Sequence, residues 1–255
     1  MKTPNLKGGM SRDEMERAAV LDGSRRSPNM PPKDAATLII LDDTSDEPRM
    51  LMGKRHEGHK FMPGLFVFPG GRVDRYDGSV AADSELHPVV EEKITTHLRG
   101  RSSSRRARAL ALAALRETYE EAGLLLGTAG GGFTARHEDW NAFSKLGVTP
   151  TLDPLRLIAR AITPPGRTRR FDAWFFATRA SHIAHALPEG TGPSGELEDL
   201  HWLTFDEAKQ LELPAITVTV LDELQQRLKK DPALSPTKEI PFYYLKGKTF
   251  LRDLI

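Results

Sequence analysis

The chain has no cysteine. That excludes disulfides, zinc–thiolate sites and thiol nucleophiles, and it fits a reducing, cytoplasmic setting. No run of about 18 apolar residues occurs, so no segment reads as a membrane span. Formal net charge is only +1, so bulk charge calls for neither a nucleic acid nor a membrane as partner. Internal repeats are absent, and the eight histidines are scattered without a metal-ligand spacing. The first 33 residues lack the apolar stretch of a secretory signal. They are polar and broken by Gly8, Gly9, Pro28, Pro31 and Pro32, which reads as a flexible arm. What remains is ordinary for a soluble globular protein: 255 residues, 39% hydrophobic and 28% charged.

Past the arm, Ala35 to Leu41 is an apolar run of strand length, and Arg49 to Lys54 reads as its hairpin partner. Leu65 to Phe68 is a short strand that runs into Pro69-Gly70-Gly71. Val89 to Leu98 reads as helical, and a longer helix is expected from Ser104 to Ala122, closed by Gly123. Leu155 to Thr163, Phe171 to Thr178 and Asp199 to Leu203 read as strands. Phe205 to Leu211 and Ala215 to Lys230 read as helices. Hairpins together with strands that flank helices predict a mixed sheet in an α/β/α layered domain.

The long helix ends in Arg116-Glu117-Thr118-Tyr119-Glu120-Glu121-Ala122-Gly123. Glu117, Glu120 and Glu121 fall three and four residues apart, on one face. Leu112, Leu115, Tyr119 and Ala122 fall on the opposite side, which can bury. Carboxylates crowded this way repel one another by a few tenths of a kcal/mol per pair, roughly. A hard divalent cation removes that repulsion, because Mg²⁺ seeks several oxygen ligands. Arg116, one turn before Glu120, can hold a carboxylate in place.

These residues resemble the second half of the Nudix box, G-x5-E-x7-R-E-U-x-E-E-x-G-U, where U is aliphatic. Arg116, Glu117, Glu120, Glu121, Gly123 and Leu124 match, while Thr118 stands in an aliphatic position. Phe68-Pro69-Gly70-Gly71 resembles the lead-in to the first half. Gly71 precedes Arg116 by 45 positions instead of 14, so the resemblance carries an inserted segment at about residues 76–102. Counted back from Arg116, the first box glutamate falls on Arg108, which leaves its salt bridge unassigned. Arg105, Arg106 and Arg108 lie where the helix macrodipole disfavours cations, so either the helix starts later or they have anionic partners.

The resemblance implies a Nudix-type α/β/α sandwich over residues 34–255 and cleavage of a small-molecule diphosphate with Mg²⁺ or Mn²⁺. Glu117, Glu120, Glu121 and the carbonyl of Gly71 are the implied metal ligands, with Arg116 in support. Upstream, Leu51, Arg55, Gly64 and Phe68-Pro69-Gly70-Gly71 keep, without a gap, the spacing of coenzyme A diphosphatases. Met52, Gly53, His56 and Lys60 depart from that pattern. The expected substrate is therefore coenzyme A or an acyl-coenzyme A. Alternatives are ADP-ribose, dinucleotides, nucleotide sugars, or a ligand-sensing domain without turnover. Arg55, Lys60, Arg169 and Arg170 are candidate phosphate contacts, and Phe171 or Trp174 could stack on a base, although Trp174 reads rather as core. Glu196, after the glycine-rich loop 190–195, is the candidate base or extra ligand, with Glu198 as the alternative. Nucleic acid and membrane are not expected as partners; a homodimer is possible.

Overall fold

The computed structural model describes residues 30–58, 63–135, 137–167, 169–247 and 249–255. Residues 1–29 of the N-terminal arm, and Lys60, lie outside the described residues. Strand β1 (Lys33–Asp42) turns at an Asp42–Thr44 hydrogen bond into antiparallel β2 (Arg49–Arg55). Short β3 (Phe66–Val67) and β4 (Gly70–Arg72) then pair antiparallel with β2 and β1 respectively. Helix α1 (Pro88–His97) precedes the long helix α2 (Ser104–Ala122). Strands β8 (Arg156–Ile162) and β9 (Phe171–Arg179) form a second antiparallel pair. β9 runs parallel to β1, with Lys33 opposite Phe171 through Leu41 opposite Arg179.

The sheet is completed by β11 (Leu197–Thr204) and the hairpin of β12 (Pro241–Lys246) and β13 (Thr249–Leu254). Its order is β11-β2-β1-β9-β8-β12-β13, a mixed sheet. Two small ribbons stand apart from it: β5 (Leu124–Leu126) with β10 (Ile183–Ala186), and β6 (Thr128–Ala129) with β7 (Val148–Thr149).

Alternation along β1 divides the core. Leu38 and Ile40 face Leu112, Leu115 and Phe176 on the α2 side. Ile39 and Leu41 face the other side, with Phe175, Val220, Leu221 and Leu224. The last three belong to helix α5 (Ala215–Lys230), which follows α4 (Phe205–Lys209) in the chain. A short helix α3 (Asn141–Lys145) lies between β6 and β7. The result is an α/β/α sandwich. Trp174 is fully buried, with the Arg160 guanidinium over its ring, so it is core rather than a platform for a base.

Helix α2 begins at Ser104, capped by the Ser103 hydroxyl, which accepts from the Arg106 amide. Two of the three arginines in its first turns have anionic partners. Arg106 holds Asp34 in a bidentate pair at 2.6 and 2.7 Å, and Arg108 pairs with Glu85 at 2.7 Å. Gly123 closes the helix at φ 70°, a left-handed conformation that glycine adopts without strain.

Candidate active site

The last turns of α2 bring the three glutamates against β4. Gly70 donates its amide to Glu121 Oε2 at 2.9 Å. A Cβ on Gly71 would lie 2.4 Å from the Glu117 carboxylate, so any side chain there would have to displace that carboxylate. Arg116 lies almost buried among these acids. Its Nη1 donates to Glu117 at 2.9 Å and to Glu120 at 3.1 Å. Its other nitrogens grip Asp77, at 2.9 Å from Nε and 3.2 Å from Nη2, and Nη2 also reaches the Arg72 carbonyl. Burial disfavours the Arg116 charge, but Asp77, Glu117 and Glu120 outweigh it and hold the guanidinium charged.

Asp77 is the residue that counting back from Arg116 missed. Fully buried, it also accepts from the Trp140 indole at 3.2 Å and from the Asp74 amide at 2.8 Å. Counting forward from Gly71 would have found it, since Gly71 and Asp77 keep the G-x5-acid spacing. The salt bridge left unassigned by Arg108 is thus made by Asp77, while Arg108 serves Glu85.

The acids are short of positive charge. Burial pushes Glu117 up to about 7 and Glu121 up to about 8, against the pull of Arg116 and Arg55 respectively. Glu120 is raised as well, first by burial. Among the described residues no three acids or histidines converge as a ready metal cage. Each glutamate is turned to an arginine or an amide instead. The donor set fits Mg²⁺ or Mn²⁺ in kind: hard carboxylate oxygens, desolvated and raised in pKa by burial.

Arg55, at the end of β2, joins the group. Its Nη2 lies 3.6 Å from Glu121 and its Nη1 3.3 Å from Glu196. Glu196 is half-exposed and faces the same cluster, where its charge helps to raise Glu117 and Glu121. Glu198 turns to His56 at 3.4 Å. The loop before Glu196 is docked on α2: Gly192 and Ser194 donate their amides to the Glu121 and Glu120 carbonyls, at 3.2 and 2.9 Å. It satisfies orphan carbonyls of the helix end. The structure therefore brings together Gly71, Arg116, Glu117, Glu120, Glu121, Arg55 and Glu196. Arg170 lies instead at the opening of β1, donating to the Thr163 and Met30 carbonyls, with exposed Arg169 beside it.

No protein-family model and no curated protein matches the sequence. Solved structures do. The chain is similar to a Nudix hydrolase from Alicyclobacillus acidocaldarius, 27% identical over 76% of this chain and 90% of that one, with a TM-score of 0.57. It also matches the MutT protein from Methanosarcina mazei Go1 (14% identity, 80% and 99% covered, TM-score 0.45). A third match is the Nudix domain of Shewanella oneidensis NrtR, solved with ADP ribose (11%, 78% and 90%, TM-score 0.44). The last two are too distant to bear on the site. Fold and first relative together define the class: an enzyme acting on phosphorus-containing acid anhydrides. They support the Nudix family for this chain, a family that generally uses divalent metals.

Proposed function

We propose that the chain is a metal-dependent diphosphatase that cleaves coenzyme A or an acyl-coenzyme A into 3′,5′-ADP and (acyl-)4′-phosphopantetheine. The observation that carries the diphosphatase reading is the packing of Glu117, Glu120 and Glu121 against Gly70-Gly71 around a buried arginine. The preserved spacing from Leu51 to Gly71, and the position of Arg55 beside Glu121, support the coenzyme A reading.

Glu117, Glu120, Glu121 and Gly71 would hold Mg²⁺ or Mn²⁺. When bound, the cation neutralises diphosphate oxygens and acidifies a water. Arg116 fixes Glu117 and Glu120 in direction, and Asp77 fixes Arg116. Arg55 offers its guanidinium to a phosphate at the edge of the carboxylate cluster. Glu196, the half-exposed acid of the group, accepts the proton of the attacking water. The net change is addition of water across one P–O–P bond.

The test is a parallel assay of coenzyme A, acyl-coenzyme A, ADP-ribose, diadenosine polyphosphates and nucleotide sugars, with products identified. Coenzyme A derivatives should show the highest kcat/KM. Glu120→Gln should lower kcat by roughly 10²-fold or more, with the fold retained. Full activity in excess chelator would overturn the metal role, and a clear preference for ADP-ribose would overturn the substrate.

A further inference from the structure

A carboxylate has about four lone-pair sites, and at Asp77 all of them are filled. Oδ1 accepts from Arg116 Nε at 2.9 Å and from the Trp140 indole at 3.2 Å. Oδ2 accepts from the Asp74 amide at 2.8 Å and from Arg116 Nη2 at 3.2 Å. The residue is fully buried, so water cannot stand in for a lost donor. Arg116 is saturated in the same way. Its N–H groups go to Asp77 twice, to the Arg72 carbonyl, to Glu117 and to Glu120. The two groups therefore share one orientation. If the carboxylate turns, the guanidinium follows, and Nη1 leaves the two glutamates.

Besides Arg116, Asp77 has two donors. The Asp74 amide lies three residues away on the same turn. The indole comes from 63 residues further along the chain, in the segment that precedes α3. That ring is clamped. Trp140 is almost fully buried, with the Phe143 ring tilted against it at 4.9 Å. Phe143 in turn meets Tyr119 edge-on at 5.9 Å, on the acidic helix between Glu117 and Glu120. Packing thus aims the indole N–H at Oδ1, and the bond stops a side-chain torsion that in aspartate is otherwise broad.

We propose that Trp140 is a positioning residue of the active site, outside the box: its N–H locks the Asp77 carboxylate and, through Asp77 and Arg116, sets where Glu117 and Glu120 point. The proposal rests on the diphosphatase reading for the reaction that this arrangement serves.

The experiment uses the full chain with β-(3-benzothienyl)alanine in place of Trp140, which keeps the bicyclic shape and exchanges the N–H for sulfur. The control is the same replacement at buried Trp174, whose indole nitrogen has no hydrogen-bond partner among the described residues. Mn²⁺ binding is measured by calorimetry, and kcat and KM with the diphosphate cleaved best. At position 140 the exchange should weaken Mn²⁺ binding about tenfold and lower kcat about tenfold, with KM changed less than about twofold. At position 174 it should change none of the three. Combined with Asp77→Asn, the exchange at 140 should add little further loss of Mn²⁺ affinity, because its effect passes through Asp77. A lower urea midpoint with Mn²⁺ affinity and kcat intact would make the bond merely structural and overturn the proposal. So would equal losses at 140 and 174, or full additivity with Asp77→Asn. Weakened Mn²⁺ binding in a protein whose unmodified form hydrolyses no diphosphate would support the positioning role and overturn the diphosphatase reading alone.

Discussion

Asp77 and Arg116 form a buried pair in which neither charge has water to fall back on. Removing one partner from such a pair costs about 3–5 kcal/mol, because the other is left uncompensated. Asp77→Ala should therefore lower unfolding free energy by about 3 kcal/mol, somewhat softened by the hold of Glu117 and Glu120 on Arg116, as read from urea denaturation. In a double-mutant cycle with Arg116→Ala the two losses should fall well short of adding. Gly71 gives a contrasting case. A methyl group there meets the far end of the Glu117 side chain, which can move, rather than backbone. Gly71→Ala should leave the melting temperature nearly unchanged while displacing a carboxylate by about an ångström, for a loss in kcat of roughly 10²-fold. At this scale the sequence was legible wherever spacing was local. Arg116 and the glutamates are read from one helical turn. Asp77 was hidden because the count went back eight positions from Arg116 and ended on Arg108, whereas 38 residues separate Asp77 from Arg116 and only five separate it from Gly71.

Among the elements, α2 is legible end to end. Its alanine and leucine periodicity, the Ser103 cap and the Gly123 stop all agree. The hairpin β12–β13 and ribbons such as β6–β7 were not read. Strands of two to four residues are too short to show a period, and β13, an edge strand largely open to solvent, has no buried face to alternate against. That hairpin is tied to α5 by Glu223, which accepts from Arg252 and from the Tyr243 hydroxyl. Burial alone would raise the Glu223 pKa, but these bonds win and hold it below its ordinary 4.5. A carboxylate depressed in the folded state stabilises above its unfolded pKa and loses that contribution as pH falls through the folded one. Glu223→Gln should thus lower the urea midpoint at pH 7. The gap to the unmodified protein should narrow steadily once pH drops below about 4.5.

For the whole molecule, the layered architecture follows from hydrophobic period and element order, both visible in the sequence. The parallel pairing of β1 with β9 is not, since no local pattern tells one strand which distant strand it will meet. That pairing has a consequence for the protein during its synthesis. β1 leaves the ribosome about 138 residues ahead of its partner, on the order of ten seconds at usual elongation rates. Throughout that interval a run such as Leu38-Ile39-Ile40-Leu41, fully buried in the end, has an open edge. A nascent chain halted at residue 165 should be captured by chaperones or precipitate, whereas one released after residue 255 should not. Comparing soluble fractions of the two would show it. The order in which the chain is made thus leaves a fully apolar run with an open edge while about 138 further residues are added.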